Sequence, residues 1–341
     1  MAEKLLEVSD LKVRFRTEDG LVRAVDGVSF GLERGKVLGI VGESGSGKSV
    51  TAMTLLGLTR GVNAEFEGRV DYKGEDLLTK SEAELRRFRG NQIAMIFQDP
   101  MTSLNPVYRI GAQISEAITT HEDIGKELAR RRAVQLLRQV GIPNPERRVD
   151  DYPHQFSGGM RQRAMIAMAL ANNPDVLIAD EPTTALDVTI QAQIIELIDK
   201  LKDDFNSSVI LITHDLGVVA EIADDIAVMY AGRFVEFGST REIFYDPQHP
   251  YTWGLLGSIP RLDRPKPEKL ASISGAPPSL INLPRGCKFR PRCPHAFEKC
   301  TDEPALENRL EAQGHLDRCW LTVEEKRRLR ELTIHGESEA A

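Results

Sequence analysis

Apolar and polar positions alternate in part over residues 5–15, where Leu6, Val8, Leu11, Val13 and Phe15 are apolar, and a second β-like run spans 22–30. Between them Thr17-Glu18-Asp19-Gly20 supplies turn chemistry, so the pattern predicts a hairpin. Gly68-Arg69-Val70-Asp71-Tyr72 reads as a third strand, and the three predict a small antiparallel sheet. A different texture marks Val37-Leu38-Gly39-Ile40-Val41, residues 93–97, 176–179 and 208–213. These are short, mainly apolar runs bounded by polar residues, the pattern of strands buried on both faces of an α/β sheet.

Helical spacing covers about 109–140, through Ile110, Ile114, Ala117 and Ile118 and then Leu128, Val134, Leu136, Leu137 and Val140. Arg130-Arg131-Arg132 within it reads as a solvated helix face. Ser157 is placed to cap a helix running to about Ala171. Pro182 to Asp187 break the chain before a long amphipathic helix ending near Phe205. Residues 226–230 and 233–237 predict a closing hairpin through Ala231-Gly232, and Ser239-Thr240-Arg241-Glu242 is a capping box. From Asp246 the chain turns proline-rich, which favours extended segments ordered by packing over a new compact core.

The candidate chemistry sits where these elements meet. Gly42-Glu43-Ser44-Gly45-Ser46-Gly47-Lys48-Ser49 lies between a buried strand and a helix. Glycines there let successive amides turn inward on phosphate oxygens, and the helix start adds a dipole worth only about 0.3–2 kcal/mol. Lys48 supplies the fixed charge for the β and γ phosphates, and the Ser49 hydroxyl is placed to ligate Mg2+. The loop predicts binding of a nucleoside triphosphate. Three other strands end in polar residues: Gln98, the pair Asp180-Glu181, and His214. At the carboxyl edge of an open α/β sheet such residues face the ligand. Asp180 is expected to hold Mg2+ through its water shell, Glu181 to orient or deprotonate the attacking water, and His214 to meet the γ phosphate. Phe15 is either a stacking platform for the base or a core-facing strand residue.

Composition narrows the setting. The 341 residues allow one large domain with an appendage, or two domains, and the net charge of −7 argues against a surface built to coat nucleic acid. No apolar run approaches the roughly 20 residues that cross a bilayer, and the start Met1-Ala2-Glu3-Lys4 carries no secretory pattern, so a cytosolic protein is expected.

Taken together, residues 42–49 (Walker A), Gln98 (Q-loop), Ser157-Gly158-Gly159-Met160-Arg161 (signature), 176–181 (Walker B), Ala185-Leu186-Asp187 (D-loop) and His214 (switch histidine) resemble, in order and spacing, the ABC ATPase family over about residues 5–245. Phe156 and Met160 depart from the commonest LSGGQ signature. That variant, the stretches 97–106 and 152–163, and His249-Pro250-Tyr251-Thr252 are similar to the ATP-binding subunits of oligopeptide and dipeptide permeases, a branch that includes nickel importers.

The resemblance implies a P-loop NTPase core with a flanking antiparallel subdomain and an inserted helical subdomain at about 105–170, ending near 245, followed by a C-terminal extension over 246–341. It implies ATP held by Phe15, Gly42, Ser44, Gly45, Ser46, Gly47, Lys48, Ser49, Gln98, Asp180, Glu181 and His214. Mg2+ would lie at Ser49, Gln98 and Asp180, with Glu181, His214, Gln98 and Lys48 catalytic. Ser157, Gly158 and Gly159 would serve the ATP of a second cassette, for which the resemblance favours a related, non-identical chain. Closure on ATP would drive transmembrane permease subunits, fed indirectly by an extracytoplasmic peptide-binding protein, from the cytoplasmic face of the inner membrane. Nucleic acid is not an expected partner. A soluble ABC ATPase acting on DNA is disfavoured by the acidic charge, the single cassette and the lack of a long coiled coil after Gln98; an ATP-holding regulator is disfavoured by the intact Asp180, Glu181 and His214.

All four cysteines, Cys287, Cys293, Cys300 and Cys319, follow residue 286. Structural disulfides are disfavoured in a cytosolic protein, and the C-x2-C pair usual for zinc is absent. Four thiolates on wider loops suit a 4Fe-4S cluster, which some permease ATPases resembling this tail carry; zinc and free thiols stay open as alternatives. Arg285, Lys288, Arg290 and Arg292 are expected to offset a cluster's negative charge, with His295 and His315 nearby.

Overall fold

The computed structural model describes residues 4–184, 186–259, 273–310 and 314–335. The D-loop Ala185 lies outside them. The first two strands are longer than the alternation predicts, β1 Lys4–Thr17 and β2 Gly20–Glu33, and they pair antiparallel through Thr17 opposite Gly20. With β4 Ala64–Tyr72 and β5 Glu75–Asp76 they form a four-stranded sheet in the order β2-β1-β4-β5. β3 Val37–Val41 belongs to the larger sheet, beside β6 Ile93–Ile96, β7 Val176–Asp180, β8 Ser208–Thr213, β9 Asp225–Tyr230 and β10 Arg233–Ser239. Its order is completed by β11 Glu307–Asn308 and β12 Leu316–Asp317, giving β11-β12-β10-β9-β3-β8-β7-β6.

Alternation inside the buried strands separates two cores. Val37 and Val41, Leu177 and Ala179, and Val209 and Leu211 pack towards the helices 110–119, 126–139, 158–169 and 188–205. Their neighbours Leu38 and Ile40, Val176 and Ile178, and Ile210 and Ile212 pack with Val8, Val13, Val25 and Val70 of the antiparallel sheet. A period of two therefore feeds both faces of one sheet, although the run itself reads as uniformly apolar. Each arginine of the expected solvated face is paired, Arg130 with Asp150 at 2.8 Å, Arg131 with Glu127 at 3.9 Å and Arg132 with Glu122.

The tail departs from the expectation of extended chain. It contributes β12 to the main sheet, with Glu236 opposite Asp317 and Phe237 opposite Leu316, and it forms helices Pro250–Gly257 and Val323–His335. Proline density hid these because Pro250 occupies the first turn of its helix, where a missing N–H costs nothing. Buried charges lie at the seam, each matched by donors, without which burial would be costly. Glu236, fully buried, accepts from the backbone N–H groups of Gln248 (2.5 Å) and His249 (3.0 Å) and meets His315 Nε2 at 2.8 Å. Asp317 accepts from the buried Lys326 ammonium at 2.7 Å. His315 thus serves this seam.

His249 is 1% exposed, and its Nδ1 accepts the Tyr251 N–H at 3.1 Å. Burial, with the Lys326 charge adding to it, holds its pKa down at about 3. An unfolded chain protonates this imidazole near pH 6.5. As pH falls from about 6.5 towards 3, the unfolded state takes up a proton that the folded state refuses, and stability drops by up to about 1.4 kcal/mol per pH unit. His249→Asn keeps an acceptor for Tyr251 but does not titrate there. Its unfolding free energy is expected to lie below the parent's at pH 7 and to fall less steeply on acidification. Parallel curves across that window would remove His249 as the source.

Candidate active site

Parallel register places the polar strand ends side by side. Val41 stands opposite Thr213, Asp180 opposite Ile212 and Ile96 opposite Ala179, so the residues just beyond each strand share one edge of the sheet. Gly42 begins the phosphate loop there at φ 153°; a Cβ would lie 2.1 Å from the Met229 carbonyl oxygen. Gly47, at φ 108°, precedes the helix Lys48–Leu55, and a Cβ on it would lie 2.3 Å from the Ala24 carbonyl oxygen. Both positions require glycine on conformation and on space.

Lys48, 4% exposed, donates from Nζ to the carbonyls of Gly42 at 2.8 Å and Glu43 at 3.0 Å. Burial pulls its pKa down against the upward pull of Glu181, Asp180 and Glu43. The Ser49 hydroxyl donates to Asp180 Oδ1 at 3.0 Å. Burial raises the Asp180 pKa, and the adjacent Glu181 charge adds to the effect. A hydroxyl and a carboxylate at this spacing form the hard-oxygen set that Mg2+ uses alongside phosphate and water, so these residues fit the ion. Gln98 is bonded elsewhere: its Nε2 donates to Glu181 Oε2 at 3.0 Å.

Glu181 adopts φ 47°, a left-handed conformation uncommon outside glycine. Its N–H donates to the Ile212 carbonyl at 2.8 Å, and its Oε2 also accepts from Thr184 Oγ1 at 2.8 Å. His214 Nδ1 stands 3.6 Å from Oε1. Backbone strain at a carboxylate held by hydrogen bonds from two side chains, Gln98 and Thr184, is the arrangement of a group aimed at a task. Thr184 is the partner that strand-end reasoning missed; it lies past the proline, where the sequence offers only a turn.

Ser157 accepts the Met160 N–H at 3.3 Å and caps the helix Gly158–Ala169 as expected. The spaces beside Gly158 and Gly159 are bounded by Leu186 and Ile190. Asp187 caps the helix Val188–Phe205 through the Ile190 N–H at 3.0 Å. Phe15 is half-buried and packs on the core between the two sheets.

A sequence model of the ABC transporter family matches residues 25–184, and one described as the oligopeptide/dipeptide transporter C-terminal region matches 235–300. The oligopeptide transport ATP-binding protein OppD of Salmonella typhimurium is 53% identical over 95% of this chain and 96% of its own length. The dipeptide transport ATP-binding protein DppD of Bacillus subtilis is 53% identical over 94% and 95%. The chain belongs to the ABC transporter ATP-binding family, in its oligopeptide/dipeptide branch. Among solved structures it is similar to a dimeric ATP-binding cassette in a post-hydrolysis state bound to ADP and Pi. That match has a TM-score of 0.62 and 26% identity, and covers 69% of this chain and 99% of that one. A component of the ABC transporter complex cbiONQ from Clostridium perfringens matches at TM-score 0.60 and 27% identity, over 72% and 92%. The cassette is thus an ABC ATPase, and ATP is its fuel. Among the described residues no helix is long and apolar enough to cross a membrane.

The tail's cysteines converge. Cys287, Cys293, Cys300 and Cys319 line one narrow space of about 20 Å3 with Trp320 and His295, and none is in a disulfide. Burial pushes Cys293 and Cys319 up to about 12 and raises Cys287 as well, so these thiols are neutral unless a metal takes their protons. Among the described residues no three His, Cys, Asp or Glu side chains are grouped to hold a metal ion, so the arrangement favours neither the cluster nor the zinc alternative. The expected cation shell is also corrected. Lys288 pairs with Glu303 at 3.1 Å, and Arg292 turns away to Glu43. Two of the four cations therefore pair with carboxylates rather than face the thiols.

Glu181→Gln preserves the side chain's shape and removes its charge. ATP binding is expected to persist while turnover falls at least about 100-fold, the scale of a lost general base. Equilibrium binding beside single-turnover hydrolysis checks this, and unchanged hydrolysis would remove Glu181 from its role.

Proposed function

We propose that the chain is the ATP-hydrolysing subunit of an importer for oligopeptides or dipeptides, peripheral on the cytoplasmic face of the inner membrane and working as one of two facing cassettes. The observation that carries this reading is the presence, on one chain, of a complete hydrolytic set and a tail matched by the oligopeptide/dipeptide C-terminal region. Lys48 and the loop amides of residues 42–49 bind the phosphates. Ser49 and Asp180, with Gln98, would hold Mg2+, which would supply charge neutralisation on the phosphate oxygens. Glu181 orients or deprotonates water, and His214 meets the γ phosphate. Phe15 supports the base.

Ser157, Gly158 and Gly159 serve the other cassette's ATP, so closure binds nucleotide differentially between states, as a ligand-driven switch requires. A related, non-identical chain is the favoured partner. The working units are a cassette over 1–245, with its helical subdomain at about 105–170, and an extension over 246–341. Exposed Phe97, Met101, Val107 and Tyr108 flank and follow Gln98 and supply the apolar face for a transmembrane subunit. The peptide-binding protein acts on that subunit from the other side.

The four cysteines would hold a 4Fe-4S cluster. Four thiols lining one space supply the four-cysteine ligation such a cluster uses. Its role is that of a folding staple, since it would cross-link loops from 287 to 319.

Affinity capture of the intact complex from membranes is expected to bring down transmembrane subunits and a second cassette, with iron and acid-labile sulfide after anaerobic handling. Full-rate hydrolysis by an isolated chain altered at Ser157 and Gly159 would overturn the two-cassette reading. Stoichiometric zinc would overturn the cluster.

A further inference from the structure

The phosphate loop carries an acidic residue where its ligand is a polyanion. Glu43 stands directly after Gly42, and its own carbonyl accepts from Lys48 at 3.0 Å. An uncompensated carboxylate at that place would oppose binding of a triphosphate. Its partner comes from the far end of the chain. Arg292 Nη1 donates to Glu43 Oε2 at 2.5 Å and Nη2 to Oε1 at 2.9 Å, the two-pronged geometry in which guanidinium and carboxylate bind most strongly.

Arg292 is locked before it reaches Glu43. Its side chain is 4% exposed; Nε donates to the Ser274 carbonyl at 3.0 Å and Nη2 to the Ile273 carbonyl at 3.3 Å, while the guanidinium stands 5.8 Å from the Tyr230 ring centre. The Tyr251 hydroxyl accepts the Glu43 N–H at 2.9 Å, so side chain and backbone of this loop residue are both held from outside the loop. Tyr251 and Tyr230 pack on Phe289, with ring centres 5.4 Å and 5.3 Å away. Cys293, next in sequence to Arg292, lines the thiol-bounded space.

We propose that Arg292 is a positioning residue for ATP binding: it neutralises Glu43 and holds it off the phosphate site, so that the tail completes the electrostatics of the phosphate loop. This rests on the reading of that loop as the ATP site. It adds that nucleotide affinity depends on a residue some 250 positions away, 292 against 43.

Charge removal at the two ends separates this from a packing role. Arg292→Met in the assembled transporter is expected to weaken MgATP binding about tenfold, the scale of one charge uncovered within several ångströms of a polyphosphate at a half-exposed site. KM should rise with kcat little changed, because the repulsion acts alike on bound ATP and on its transition state. Glu43→Gln alone should change affinity less than about threefold. The double variant should recover to within about threefold of the parent, since the repelling charge has gone with its partner. Arg292→Lys, which keeps the charge, should retain most of the affinity. Arg292→Gln keeps a donor for the Ser274 and Ile273 carbonyls and carries the expectation of Arg292→Met should that variant fold poorly. Binding of MgATP by the parent tests the site itself. An unchanged affinity in the charge-removing variants, or a loss that Glu43→Gln does not relieve, would overturn the inference while leaving the ATP site standing.

Discussion

The structure depends on the register of four parallel strands. β6, β7, β8 and β3 are adjacent and end level with one another, which turns four separate polar strand ends into one site. The register is itself set by packing. A slip of one residue along β7 would move Leu177 and Ala179 from one core to the other and point Asp180 to the wrong face. The split of uniformly apolar runs between two cores is therefore what aims the Asp180 and Glu181 carboxylates at the shared edge.

The edge so formed gathers charge that a folded protein would otherwise avoid. Asp180 is buried beside Glu181, and Lys48 is buried within a loop of carbonyls. Each is pushed by burial towards its neutral form, and each would be relieved by the ligand the site is built for: a divalent cation for the carboxylate, a polyphosphate for the ammonium. Strain runs the same way at Glu181, whose left-handed backbone is retained by Ile212, Gln98 and Thr184. Electrostatic and conformational cost is concentrated where binding can repay it.

Much of this was legible in the chain alone, because the phosphate loop, the strand ends and the Ser157 cap are local patterns whose chemistry is set by neighbouring residues. The hairpin 226–230 with 233–237, the capping box at Ser239 and the long helix to Phe205 were readable for the same reason. The tail was not. Two-residue strands such as β11 and β12 carry no periodicity, and β12 exists only because β10 offers it an edge. Lys288 and Arg292 read as a cationic shell for the cysteines since they are near them in sequence; their carboxylate partners lie 15 and 249 positions away, and only the fold brings them together.

That distance bears on what the tail is for. A segment added merely to bind a partner could hang from the cassette by a few apolar contacts. This one extends the central sheet and buries Glu236 and Asp317 with their donors at the seam. It also sets Tyr251 against the phosphate loop's backbone. Buried, fully paired charges contribute little net stability against an apolar alternative, yet breaking one of them is costly. They make the seam selective: in the observed seating Glu236 and Asp317 meet their donors, and half-seated arrangements leave these charges bare. The same seating that gathers four thiols around one space also delivers Arg292 to Glu43, so whatever firms or loosens that space acts on residues one peptide bond from a partner of the ATP site.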